Sequence, residues 1–434
     1  RPPRSTLFPY TTLFRSESRF IFVAKKQTDN LDRLIMVLTG KAPVGAKNTS
    51  TSDNWLSYPQ LGEKRILLVD DEADFASVGF NRSKQEGLSI RKIAGQIDAL
   101  RTMLKDLRFL QVTATPYSLY LQPESLDLTF EGLSFCPIRP AFTVLVPVHK
   151  DYVGGDFYFV ESGNPDSVAF DVFQEVPEDE IGALKKKDGR KLSESADPLT
   201  AKSIATLRLA IVTFIMGGAI LRAREIAAGV PPTRRSFIVH TATGKGAHDW
   251  QVNIVDRLIR SLLDVQAAAR QTLDADLTSA HKDLSESLVK VHIAAPALAD
   301  AKALFFAACK QFVVRKVNSE EKLGAMLDDN GQLKLEEPFT CFIGGQILDR
   351  GITIDNLVGF YYGRDPKKFQ QDTVLQHARM YGFRKPEDLA ITRLYTTTNI
   401  HEVMRRIHEI DSALRDTVAQ GGQEAGVFFI RRDA

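Results

Sequence analysis

Cysteine is scarce in this chain of 434 residues. There are three, Cys136, Cys309 and Cys341, far apart and odd in number. That argues against a disulfide framework or a zinc site and fits a reducing compartment such as a cytoplasm. The eight histidines are scattered, with no metal-ligand spacing. The net charge is only +2. No global field therefore draws the chain to nucleic acid, and any basic surface must be local. No apolar run is long enough to cross a bilayer. The best candidate, Leu209 to Leu221, is about 13 residues long. It is flanked by Arg208, Arg222 and Arg224 and reads as a buried core helix, so no membrane partner is expected. No signal peptide is visible. Also lacking is any Gly-x-x-x-x-Gly-Lys-Ser/Thr. A near miss, Thr39-Gly-Lys41, follows a helical pattern instead of joining strand to helix. It has neither the earlier glycine nor a following Ser/Thr and reads as a loop.

What is present is an ordinary globular composition, 44% hydrophobic and 25% charged. The length suits two domains. Residues 1–16 look foreign. Arg4-Ser-Thr-Leu-Phe-Pro-Tyr-Thr-Thr-Leu-Phe-Arg-Ser16 repeats Thr-Leu-Phe between two Arg-Ser pairs and resembles a translated adapter. It is set aside from fold reasoning, and the native chain is expected to begin upstream of Glu17.

From there, Phe20–Ala24 reads as a buried strand, and Leu31, Leu34, Ile35 and Leu38 mark an amphipathic helix. Ile66–Val69 is a second strand. Ile90, Ile93, Ile97, Leu100, Leu104 and Leu107 keep helical spacing, and Phe109–Val112 is a third strand. Strand–helix–strand alternation implies a parallel, doubly wound sheet. Residues 120–200 break the pattern with β-like runs at Ala141–Val148 and Asp156–Val160 and a charged loop from Glu175 to Pro198. In that loop Lys185-Lys-Lys187 reads as a surface turn. An apolar helix runs from Lys202 to about Ala227 and stops at Val230-Pro-Pro232. Strands follow at Ser236–His240, Phe312–Arg315, Phe339–Ile343, Leu357–Tyr362 and Ala390–Tyr395. Helical patterns fill much of 249–310 and cover Phe369–Met380 and Ile400–Thr417. The expected fold is α/β: a first lobe over 17–122, an inserted subdomain and linker over 123–200, a hinge near 200, and a second lobe over 201–434.

Four segments carry chemistry. Ile66-Leu-Leu-Val-Asp-Asp-Glu-Ala-Asp74 drives an apolar strand into an acidic cluster. Ligands of open α/β sheets sit at the carboxyl ends of strands. Asp71 and Glu72 there suit Mg²⁺-nucleotide chemistry, one holding the metal and the other orienting water. A solvated acidic turn explains the run equally well when it is taken alone. Thr113-Ala-Thr-Pro116 ends the neighbouring strand, where hydroxyls can bond the acidic pair. Gly344-Gly-Gln-Ile-Leu-Asp-Arg-Gly-Ile-Thr-Ile354 follows another strand. Its glycines let backbone approach a phosphate, and Arg350 adds charge; a Gly-rich turn is the plainer reading. Gln376-His-Ala-Arg-Met-Tyr-Gly-Phe-Arg384 puts two arginines around a glycine that can end a helix. Guanidinium groups there can stabilise a transferring phosphoryl group, or merely satisfy the helix end.

In this order the four resemble the motor core of superfamily-two helicases. Within it they most resemble the Z-one domain family, whose members carry an endonuclease label. Phe22-Val-Ala-Lys-Lys26 resembles that family's first-lobe nucleic-acid motif, Val69–Asp74 its Walker B, and Val112–Tyr117 its motif III. Tyr152-Val-Gly-Gly155 resembles a signature in its insert, and Leu207–Glu225 the helix opening its named domain. Asp349-Arg-Gly-Ile-Thr353 is similar to motif V and Leu375–Arg384 to motif VI. Ala378 stands where the family usually has glycine. The resemblance implies two RecA-like doubly wound parallel-sheet lobes, the first bearing an inserted subdomain. It implies ATP and Mg²⁺ as cofactors and DNA as partner, beside other restriction-modification or defence subunits. By it, Asp71 coordinates Mg²⁺ through water and Glu72 activates water. Thr113 and Thr115 couple the lobes, and Arg350 and Gly351 lie near the nucleotide. Gln376, Arg379 and Arg384 reach the phosphates.

The function expected from the sequence is therefore an ATP-dependent DNA translocase or helicase-like subunit of a bacterial defence system. It is N-terminally truncated here and inactive without its phosphate loop. The alternatives are an endonuclease component acting on DNA and a motor-derived binding scaffold that no longer cycles.

Overall fold

The computed structural model describes residues 20–41, 57–73, 80–83, 87–90, 92–120, 128–130, 133–135, 140–185, 187, 192–193, 196–242, 244–317, 326–329, 332–345, 354–364 and 381–421. The fold is mixed α/β. The chain divides into two units, Arg1–Leu145 with Thr417–Ala434, and Val146–Asp416.

The first unit runs α1 (Thr28–Thr39), β1 (Ile66–Asp71), β2 (Phe80–Ser83), β3 (Gly87–Ile90), α2 (Lys92–Met103), β4 (Leu107–Val112), α3 (Tyr117–Tyr120), β5 (Leu128–Phe130) and β6 (Leu133–Phe135). β1 and β4 are parallel, in register from Ile66 opposite Leu107 to Asp71 opposite Val112. A parallel pair needs a crossover, and α2 lies in it. The small core joins Ile35, Leu38, Leu61, Leu100 and Leu104. Each such side chain, fully buried, contributes about 2 kcal/mol. β2–β3 and β5–β6 are antiparallel hairpins.

The second unit continues with β7 (Tyr152–Val153), α4 (Gly155–Phe159), β8 (Phe173–Glu175), α5 (Glu178–Lys185), α6 (Ala205–Ala227), β9 (Arg235–His240), α7 (Lys245–Leu263), α8 (Arg270–Lys290) and α9 (Leu298–Cys309). β10 (Phe312–Val317), β11 (Phe339–Gly344), β12 (Leu357–Tyr362), β13 (Gly382–Phe383), α10 (Pro386–Ala390), β14 (Arg393–Thr396) and α11 (Thr398–Ala419) complete it. Six strands form one sheet in the order β10-β11-β9-β12-β14-β8, and every pairing is parallel. β9, β11, β12 and β14 are buried along their whole length. A parallel sheet needs helices on both faces, which is why these strands read as continuous apolar runs and not as alternation. Phe237, Val239, Cys341 and Tyr361 share a core with α6 through α9. Ile238, Phe342, Phe360 and Tyr362 face the other core, with Phe157, Tyr158, Ile400 and Met404.

α6 is long and apolar enough to cross a membrane, and 83% of its most apolar window is buried inside the protein. It is the central core helix of its unit, as its arginine flanks suggested.

Several expectations need correction. Phe20–Ala24 makes no strand; Ile21 and Val23 are almost fully exposed. Ala141–Val148 makes none either, and Phe142, Val144, Val146 and Val148 are exposed. Alternation supplies a face, but a strand also needs a neighbour to take its backbone hydrogen bonds. Among the described residues neither segment has one. Asp156–Val160 is not β-like: α4 covers most of it, and Phe157 and Tyr158 bury together. The charged loop after Glu175 contains α5. Its first turn is acidic at Glu178, Asp179 and Glu180, and it ends on Lys185, both of which complement a helix dipole. Residues from Val146 onward belong to the second unit, and β8 is the edge strand of the large sheet. The helix expected over Phe369–Met380 lies outside the described residues.

Candidate functional site

The acidic strand end is built by backbone pairing. β1 runs beside β4 to the register Asp71–Val112, and the amide of Ala73 then donates to the Val112 carbonyl at 3.0 Å. Asp70–Asp71–Glu72 and Thr113–Thr115 therefore leave the same edge of the same two-stranded sheet. The alternation of β1 separates the carboxylates by role. Asp70 is buried, whereas Asp71 and Glu72 are exposed. An Asp71 Oδ1 accepts the Glu72 amide at 3.1 Å. Glu72 adopts φ 49°, a left-handed conformation that costs a non-glycine residue about 1–2 kcal/mol.

Lys26 compensates that turn. Its Nζ lies 2.6 Å from Asp70 Oδ1 and donates to the Glu72 carbonyl at 2.9 Å. The lysine read as part of a nucleic-acid motif thus points into the acidic strand end. Gln96 of α2 ties in α1, donating to the Thr28 carbonyl at 2.9 Å and to the Asp32 carboxylate. Across the edge, Thr113 Oγ1 accepts the Thr115 amide at 3.0 Å, and Thr115 is buried. This closes a tight turn in front of Pro116. The structure thus brings together Asp71, Glu72, Thr113 and Thr115. Two exposed carboxylates beside a hydroxyl-lined turn can hold a hydrated divalent cation and orient a water.

The remaining sequence candidates lie in the second unit. Arg350, Gly351, Gln376 and Arg379 fall outside the described residues. Arg384 is half-buried and donates to the carbonyl of Leu357, the first residue of β12. Sequence reasoning passed over a second Gly-Lys pair, Gly244-Lys245. Gly244 is the N-cap of α7 and Lys245 its first residue, directly after β9. His248 in the first turn lies 2.8 Å from the Ala242 carbonyl, and Gln251 donates to Thr241 Oγ1 at 2.7 Å. The signal for it was an apolar strand followed, after Thr241-Ala-Thr243, by Gly-Lys at a helix start. Like Thr39-Gly-Lys41 it lacks the following Ser/Thr.

The family model of the Z1 domain matches residues 206–426, from the start of α6 past the end of α11, which is just over half of the chain. The chain belongs to the Z1 domain family. The Z1 match holds five of the six strands of the large sheet; β8, at its edge, precedes it. It also includes the Gln376–Arg384 segment, while the acidic pair of β1 lies before it. No curated protein and no solved structure matches the chain.

Proposed function

We propose that this Z1-family chain is part of an ATP-dependent DNA translocase or helicase-like subunit of a bacterial restriction or other defence system. The observation that carries this reading is the shared edge of β1 and β4. Asp71 and Glu72 stand exposed there, next to Thr113 and Thr115. In this reading the two units correspond to two RecA-like lobes. Asp71 would hold a hydrated Mg²⁺, which would neutralise phosphate charge; Glu72 would orient a water, and Thr113 and Thr115 would couple the nucleotide state to the other lobe. By the family resemblance, Arg350 and Gly351 would lie near the nucleotide and Gln376, Arg379 and Arg384 would reach its phosphates. DNA as partner, with other defence subunits beside it, rests on the family resemblance alone.

The residues present fit only half of a nucleotide site. The exposed carboxylates suit a hydrated Mg²⁺, which would supply charge neutralisation to phosphate oxygens. The Gly-x-x-x-x-Gly-Lys-Ser/Thr sequence that builds a backbone N–H cradle for β- and γ-phosphates does not occur in these 434 residues. ATP turnover by this chain alone is therefore expected to fall far below that of a motor ATPase.

The test is DNA-stimulated ATP hydrolysis by the longest available form of the protein that contains residues 17–434. Glu72→Gln and Arg379→Ala should each abolish it. Unchanged turnover in either variant refutes the assigned role. Metal-dependent DNA nicking lost on changing a carboxylate other than Asp71 or Glu72 would instead make the chain an endonuclease component. DNA binding with no turnover in any form would make it a scaffold.

A further inference from the structure

One sequence motif is left without a role by this reading, Tyr152-Val-Gly-Gly155. Its two strand residues form β7, and β7 pairs antiparallel with β13. Gly382 lies opposite Val153 and Phe383 opposite Tyr152. β13 sits inside the Gln376–Arg384 segment, about 230 residues away along the chain. Glycine is required at one position in the ladder and at another just after it. Gly382 has φ 139°, a conformation closed to other residues. A Cβ on Gly155 would lie 2.1 Å from His408 Nδ1, so the α4 backbone touches the α11 ring only because no side chain intervenes.

Three further contacts lock the ladder. The Tyr158 ring stacks on the Tyr381 ring, with centroids 5.6 Å apart and planes 19° apart. The His408 ring nitrogen Nε2 lies 2.9 Å from Asp156 Oδ1, fastening α4 to α11. Phe159 packs its ring against both His401 and His408. Tyr158 is buried, and burial pushes its phenol up to about 12, so the stack stays uncharged at neutral pH.

We propose that Tyr152-Val-Gly-Gly155 and the Tyr158 ring are an anchor that sets the position of Tyr381–Arg384, the described end of the Gln376–Arg384 segment. β7 takes the backbone of Gly382–Phe383, and Tyr158 takes the ring of Tyr381, the residue just before them. Together they fix Tyr381–Phe383 on the second unit. Tyr158 is thus a positioning residue: it acts on phosphate chemistry only through that segment. The functional part of this inference rests on the phosphate-contacting reading of Gln376, Arg379 and Arg384; the anchor itself does not.

Hydrogen exchange on the 434-residue chain tests the anchor directly. In Tyr158→Leu, amides of Tyr381–Arg384 should exchange about tenfold faster or more, with Arg235–His240 of β9 unchanged. Tyr158→Phe, which keeps the ring, should restore slow exchange. Gly155→Ala, which forces His408 away, should reproduce the leucine variant. Unchanged exchange at 381–384 in both Tyr158→Leu and Gly155→Ala overturns the anchor. Equal acceleration in β9 also overturns it, because that would mean general destabilisation. The functional arm uses DNA-stimulated ATP hydrolysis by the same form of the protein as the test of the proposed function. Tyr158→Leu should lower kcat without raising KM, and adding it to Arg379→Ala should cost nothing further. Additive losses overturn the positioning role. A silent Arg379→Ala would instead remove the phosphate reading, while the exchange result still decides the anchor.

Discussion

Lys26 and Asp70 form an ion pair of 2.6 Å in which the carboxylate is buried and the ammonium also bonds the Glu72 carbonyl. One lysine therefore neutralises the inner acid and braces the turn that carries the outer one. Removing one partner of a buried pair costs more than the pair is worth, because the other charge stays in low dielectric. Lys26→Met should destabilise the first unit by about 3 kcal/mol. Lys26→Met/Asp70→Asn should recover part of that loss. Urea unfolding followed by a probe in the first unit checks both.

Glu72 separates stability from chemistry. Its left-handed φ of 49° is a conformation glycine adopts without strain. Glu72→Gly should raise the stability of the first unit by about 1 kcal/mol. The same change should abolish DNA-stimulated ATP hydrolysis. A variant that is less stable than the parent would show that the carboxylate has a structural partner in solution.

Glu180 gives a signed pH dependence. It is buried and accepts the Thr206 amide at 3.0 Å, the Leu207 amide at 2.7 Å and the Tyr361 hydroxyl at 2.9 Å. Burial pushes its carboxyl above the ordinary value of 4.5, and the three hydrogen bonds oppose that shift without cancelling it. A raised carboxyl binds its proton more tightly in the folded state. Its contribution is complete below the unfolded value and is lost as pH rises through the folded one. The stability of Glu180→Gln relative to the parent should therefore climb from pH 4.5 upward and then level off. Denaturation midpoints of both proteins across that range measure it, and a flat difference refutes it.

Arg393 should be far more sensitive than Arg405. Arg393 is almost fully buried and donates to Asp283 at 2.9 Å, to Ser287 Oγ at 2.9 Å and to the carbonyls of Ala390 and Thr392 at 3.0 and 2.8 Å. Burial pushes the Asp283 carboxyl up and Arg393 pulls it back. Arg393→Met should cost about 3–5 kcal/mol. Arg405 pairs with Glu402 and Glu409 on the outside of α11. Arg405→Ala should leave the unfolding midpoint where it is, since exposed pairs contribute little.

Cys309 and Cys341 should react as core residues. Both are buried, and burial pushes the Cys309 thiol up to about 12 and the Cys341 thiol higher still. At pH 8 a thiol reagent should modify them only at the unfolding rate. Fast labelling of either in the folded protein would contradict the packing of α9 and β11.

Elements with a local signature were legible in the residues. The spacing of Ile97, Leu100 and Leu104 announces α2, and the apolar run before Asp70 announces β1. The continuous runs of β9, β11 and β12 announce strands covered on both sides. Part of the candidate site was legible for the same reason: Asp71-Glu72 and Thr113–Thr115 end two neighbouring strands, and the parallel register β1–β4 puts them on one edge. Phe20–Ala24 and Ala141–Val148 show where that logic stops, because their alternation specifies no partner.

By itself the sequence determined the α/β alternation, the strand ends that carry the acids and hydroxyls, and the Z1 membership. All of these are encoded in short windows of periodicity and motif. The tertiary structure decided the rest: that Lys26 turns inward to Asp70, that β8 joins the large sheet, that Tyr152-Val153 pairs with Gly382-Phe383, and that Tyr158 stacks on Tyr381. The reason is physical. Those outcomes depend on ion pairs, ladders and ring stacks between residues tens to hundreds of positions apart, and nothing local in either partner specifies the other.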